Sequence, residues 1–140
     1  MRDLRVGGLA ALAVLFGAWG CGSSTPTSST PPVTYPQLTE TYTGTISIGE
    51  TKPFHFAITN PGSLDAAITA LGPVSTLSMG LSLGGWDPTA ETCSKIIVLE
   101  VRLNQPITGT PQSAGEYCVS IYDSGNLQGP TDFTVTVLHY

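Results

Sequence analysis

Over most of the second half of the chain, apolar and polar side chains alternate one by one. Phe54, Phe56 and Ile58 interleave with His55, Ala57 and Thr59, and Leu77, Met79, Leu81 and Leu83 with Ser78, Gly80 and Ser82. Ile97, Leu99, Val101 and Leu103 interleave with Val98, Glu100 and Arg102, and Phe133, Val135 and Val137 with Thr134 and Thr136. A period of two puts one side of an extended strand toward a core and the other toward solvent. Weaker alternation predicts further strands over Tyr42–Ile48, Leu64–Ala70, Ile107–Thr110 and Glu116–Tyr122.

Turn-forming residues separate these runs: Gly49-Glu50, Asn60-Pro61-Gly62, Gly72-Pro73, Gly84-Gly85, Ser113-Ala114-Gly115, Asp123-Ser124-Gly125-Asn126 and Gly129-Pro130. Short strands at such spacing fold antiparallel. Asp87-Pro88 could start one helical turn, with Asp87 as its cap, but no helical period is sustained. The expected fold is all-β, a single antiparallel two-sheet β-sandwich of jelly-roll or immunoglobulin-like type. It has seven or eight strands over residues 37–140.

The first twenty residues follow a different rule. Arg2 and Arg5 precede an apolar run from Val6 to Phe16, the layout of a secretory signal peptide. The run is shorter than the roughly 18–20 residues that cross a bilayer as a helix. Residues 22–36 are almost all Gly, Ser, Thr or Pro, the exceptions being Val33 and Tyr35. Such a stretch buries too little apolar surface to offset its ordering entropy, so a disordered tether is expected, reaching roughly 20 Å or more.

Between signal and tether, Ala18-Trp19-Gly20-Cys21 resembles the lipobox of bacterial lipoproteins. The resemblance implies removal of residues 1–20, lipidation of Cys21 and a lipid-anchored place in the bacterial cell envelope, at the outer membrane, periplasmic or surface-facing. The alternative is ordinary cleavage nearby, with Cys21 an idle thiol. Cleavage would remove two arginines and one aspartate, carrying the formal charge from −5 to −6. Lys52, Lys95 and Arg102 are then scattered, which excludes an electrostatic nucleic-acid binder.

With Cys21 assigned to lipid, Cys93 and Cys118 are left as an even pair in an oxidising compartment, and a disulfide is expected. If Tyr117 and Val119 face the core, Cys118 faces outward, and the bridge would pin a Gly84–Ser94 loop onto the outside of a sheet. Two separate thiols are the alternative.

A second resemblance spans about Tyr42 to Tyr140. The series Tyr42-Thr43-Gly44-Thr45-Ile46, Gly49, Phe54-His55-Phe56-Ala57-Ile58 and Pro61-Gly62-Ser63-Leu64 is similar to the opening of bacterial pre-peptidase C-terminal domains. Ala114-Gly115-Glu116-Tyr117-Cys118-Val119-Ser120-Ile121-Tyr122-Asp123 and Thr131-Asp132-Phe133-Thr134-Val135-Thr136-Val137 resemble the family's closing strands. The resemblance implies a β-sandwich that serves as an accessory module on secreted hydrolases.

Candidate chemistry is sparse. Gly80-Leu81-Ser82-Leu83-Gly84 matches G-x-S-x-G, and Asp123 or Asp132 followed by His139 completes the order Ser, Asp, His of a serine hydrolase. That motif acts only where a strand bends sharply into a helix, whereas Ser82 sits within a strand-like alternation that enters a Gly-Gly turn. No enzymatic activity is expected. His55 and His139, the only histidines, read as solvated strand residues.

Asp123, Asn126 and Asp132 offer oxygen ligands that would suit calcium, as do Asp87 and Glu91, although turn capping explains Asp123 and Asn126 equally well. Trp86, Tyr117, Tyr122 and Tyr140 are aromatics that could stack on a sugar, anchor a protein or cover an end of the sandwich. Trp86 and Tyr122 are the preferred candidate ligand contacts. The combined expectation is a membrane-tethered, non-enzymatic module contacting protein, cell wall or polysaccharide. The alternative is a calcium-dependent or carbohydrate-binding module.

Overall fold

The computed structural model describes residues 34–140. The expected signal peptide, Cys21 and the expected tether up to residue 33 lie outside the described residues. Eight strands follow one another: β1 (Leu38–Ile46), β2 (Thr51–Ile58), β3 (Leu64–Gly72), β4 (Met79–Asp87), β5 (Thr92–Val101), β6 (Ile107–Gly109), β7 (Gly115–Tyr122) and β8 (Thr131–His139). They form two antiparallel four-stranded sheets, ordered β1-β8-β3-β6 and β2-β7-β4-β5.

The order has a simple origin. β1 pairs with β8, β2 with β7, β3 with β6 and β4 with β5, so the first half of the chain is matched in reverse by the second. A long hairpin whose strand pairs fall alternately into two sheets is a jelly roll. Of the two sandwich types expected, the structure is this one.

Alternation decides which side chains face inward. Ile68 of β3 and Val135 and Val137 of β8 meet Phe56, Leu81, Leu83, Val119 and Ile121 of the opposite sheet in one core. Each buried side chain of this size contributes about 1.5–3 kcal/mol relative to exposure.

Three expectations are corrected. First, Gly84-Gly85 is no turn. β4 continues through both glycines and Trp86 to Asp87, and residues 88–91 make the turn. Asp87 does act as a cap, its Oδ1 accepting the Thr89 and Ala90 N–H groups at 2.8 and 3.1 Å, but Glu91, at φ +50°, leads straight into β5 rather than a helix. The glycines serve a close approach instead: a Cβ on Gly84 would lie 1.9 Å from the Ser94 carbonyl oxygen.

Second, there is consequently no Gly84–Ser94 loop for the disulfide to pin, since those residues are the paired ends of β4 and β5. Third, His139 is not solvated. The inward series Phe133, Val135, Val137 extends one step further to include it, fully buried.

Candidate functional site

The outer face of the β2-β7-β4-β5 sheet carries most of the singled-out residues. Register places His55 of β2 opposite Cys118 of β7, Cys118 opposite Gly84 of β4, and Trp86 opposite Cys93 of β5. Cys93 and Cys118 form a disulfide with their Cα atoms 5.7 Å apart. The bridge joins β5 to β7 across β4, which lies between them. Gly84, the β4 residue opposite Cys118, has no side chain to hold β5 away.

β5 also has one residue more than β4 here: Ile97 pairs with Leu83 and Lys95 with Gly84, leaving Ile96 unpaired. Such a bulge bends the strand. Cys118 Sγ rests 3.2 Å from the Gly85 carbonyl oxygen, a contact without a proton because the sulfur is bridged.

Trp86 stands at the end of this face. Its ring lies 5.3 Å from that of His55, tilted by 32°. His55 Nε2 in turn meets the Glu116 carboxylate, both side chains about half exposed. At that exposure the pair contributes at most about 1 kcal/mol, so its effect is to hold the imidazole against the indole. An aromatic plane, an imidazole and a carboxylate thus share one open surface, backed by the disulfide.

Tyr122 lies on the same face, two alternations along β7 from Cys118. Its ring lies flat over Gly80, where a Cβ would approach it to 2.1 Å, and Lys95 Nζ sits 4.6 Å from the ring centroid. Between the two aromatics, Ser82 and Ser120 are fully buried, and Ser82 Oγ is 3.5 Å from the Ser120 carbonyl. Ser82 sits in a straight segment of β4 with no histidine within hydrogen-bonding distance. Tyr117 and Tyr140 lie elsewhere: the Tyr117 hydroxyl donates to the Ser113 carbonyl at 3.0 Å, and Tyr140 packs on Gly62.

The three candidate calcium ligands have separate partners. Asp123 Oδ1 accepts the N–H groups of Gly125, Asn126 and Leu127, and Oδ2 that of Gly49. These bonds, Gly49 first, hold the Asp123 carboxyl below the usual aspartate range. Asn126 Nδ2 donates to the Ser78 carbonyl and to Glu100, while Asp132 accepts the Thr45 hydroxyl at 2.6 Å. Among the described residues no three metal-ligating side chains converge.

One polar cluster has no counterpart among the sequence-based candidates. His139 Nε2 lies 3.1 Å from Glu40 Oε1, the Tyr42 hydroxyl donates to Glu40 Oε2, and Phe56 stacks on the His139 ring. Burial, then the hydrogen bond to Glu40 and its charge, push the Tyr42 phenol well above its ordinary range. The signal was the phase of the alternation. Glu40 and Tyr42 are spaced to share the inward side of β1, and His139 shares that of β8. The cluster closes the end of the core where β1 meets β8.

The fold and surface define an eight-stranded jelly-roll sandwich braced by one disulfide, with an aromatic platform on one outer sheet face. Compared with known proteins, the chain matches no family model and no curated protein.

Proposed function

We propose that the protein is a lipid-anchored, non-enzymatic binding module of a bacterial envelope and that its Trp86 face takes a polysaccharide strand. The observation that carries the ligand class is the Trp86–His55–Glu116 surface. The apolar side of a sugar ring stacks on an indole, and sugar hydroxyls hydrogen-bond with an imidazole and a carboxylate at its rim. The surface is open and lies along a sheet face, which suits a long chain rather than an enclosed small molecule. Rigid backing by the bridge keeps low the entropy lost on binding.

The lipobox-like segment at Cys21 supports the anchor, and the Ser/Thr/Pro-rich tether would give the module clearance from the membrane. The likeness to pre-peptidase C-terminal domains supports an accessory role, here displayed on its own anchor. Against a calcium-dependent reading stands Asp123, whose two oxygens are already engaged by four backbone N–H groups.

The test is affinity electrophoresis of the protein through gels cast with envelope and extracellular polysaccharides. At least one polysaccharide should retard the wild-type protein, and Trp86→Ala should migrate freely with unchanged thermal stability. Retardation equal in both, or in neither across the panel, would contradict the proposal.

A further inference from the structure

We infer that β5 is the docking edge for a second copy of this chain, joined antiparallel so that two β2-β7-β4-β5 sheets become one. The two sheets have four edges: β1, β6, β2 and β5. An edge strand presents unpaired backbone groups, and stable monomers blunt such edges with proline, charge, polar faces or shortness. β2 carries Lys52 and Pro53, and β6 is three residues long between Pro106 and Pro111. β1 presents Thr39, Thr41, Thr43 and Thr45 on its outward side.

β5 has neither proline nor shortness, and its two charges, Lys95 and Glu100, only flank an apolar run. It is the longest strand, ten residues without proline, and exposes Ile96 by 78%, Val98 by 50% and Leu99 by 51%. Val98 faces outward, while Leu99, paired with Leu81, faces inward. Leu99 is nonetheless half open. A groove of about 360 Å³ opens next to Ile96 and Ile97, lined also by Pro111 and Tyr117. The middle of the edge therefore exposes apolar side chains on both faces.

The charges on β5 select the partner. Lys95 and Glu100 bracket the apolar run Ile96–Leu99, and the bulge at Ile96 puts both on the outer face. Neither has an oppositely charged partner among the described residues: Lys95 rests on Tyr122, and Glu100 accepts only from Asn126. Antiparallel pairing about Ile97 or Val98 brings Lys95 of each copy within one residue of Glu100 of the other. Parallel pairing would set like charge beside like. The strand is thus complementary to its own reverse, the requirement of a two-fold interface. The Cys93 bridge holds the edge in shape before association, which lowers the ordering cost.

A two-fold axis of this kind keeps the outer faces on the same side. If the polysaccharide reading of Trp86 holds, the dimer would offer two platforms to one chain and gain avidity. The dimer itself does not depend on that reading.

The test is sedimentation equilibrium of the intact chain in density-matched detergent, comparing wild type, Lys95→Glu, Glu100→Lys, their equimolar mixture and Ile96→Lys. Wild type should be dimeric. Each single charge reversal turns both ion pairs into repulsions and should weaken the dimer about tenfold or more, and the mixture should restore it as a heterodimer. Ile96→Lys should be monomeric with an unchanged melting temperature, since its side chain touches little of its own fold. A monomeric wild type would overturn the proposal. So would charge variants as dimeric as wild type, an unrescued mixture of folded variants, or a dimer indifferent to Ile96→Lys.

Discussion

Cys93 and Cys118 are bonded across a strand that contains neither of them, and β4 passes through the gap at Gly84 and Gly85. The bridge therefore fastens β5, an edge strand, to β7 in the middle of the sheet. Of the two glycines that look like a turn in the sequence, Gly84 is the one that the close approach of β5 requires.

The two glycines should respond differently to the same change. Gly84→Ala forces a Cβ to within 1.9 Å of the Ser94 backbone oxygen, and no flexible side chain is available to yield. A loss of roughly 1–3 kcal/mol or more is expected by urea unfolding, with faster reduction of the bridge, the size typical of overpacking. Gly85→Ala meets nothing within 4 Å and should stay within about 0.5 kcal/mol of wild type. Equal effects at the two positions would contradict the crossing.

Removing the bridge with Cys93→Ala and Cys118→Ala together should cost up to about 3.5 kcal/mol, the chain-entropy value for a separation of 25 residues. The same loss should appear in the wild-type protein unfolded under reductant. A double variant as stable as the oxidised protein would show the bridge to be dispensable.

The buried His139 should tolerate loss of its polar contact less than its position near the chain end suggests. His139→Ala leaves a cavity against Phe56 and removes a partner from Glu40. An expected loss of about 2–4 kcal/mol by thermal or urea unfolding follows from the cavity and the lost contact to Glu40, which keeps only the Tyr42 hydroxyl. A change below about 0.5 kcal/mol would mean that the ring is solvated.

Acid should weaken the fold partly through Asp123. Its carboxyl titrates below the usual 3.8 in the folded chain, so its stabilising effect is complete above the unfolded value and is lost as pH falls through the lower folded value. Asp123→Asn keeps one oxygen for the loop N–H groups but offers Gly49 no second acceptor. Melting temperature plotted from about pH 6 down to pH 2 should fall less steeply in the variant than in wild type. Parallel curves would remove Asp123 from the account.

Much of the fold could be read before the structure because alternation marks a strand wherever one face is buried. All eight strands were anticipated, and the outward direction of His55, Cys118 and Ser82 followed from their buried neighbours. The errors arose where local pattern and tertiary packing compete. Gly-Gly is locally a turn signal, and only the bridge above it makes these glycines a crossing. His139 was in phase with Val135 and Val137 but is polar, so its burial depended on Glu40, which is far away in sequence.

The platform was half legible. Trp86 stood out by its chemistry, whereas His55 and Glu116 join it only through the β2–β7 and β7–β4 registers. The bulge at Ile96 left no mark that separates it from an unbroken strand.

The most direct measurement is the intact mass of the protein from the membrane fraction, taken with and without reductant. An anchored, bridged module predicts loss of residues 1–20, added acyl mass on Cys21 and a two-hydrogen deficit that reductant restores. A chain that keeps those residues, or carries Cys21 unmodified, would contradict the anchor, and a mass unmoved by reductant would contradict the bridge.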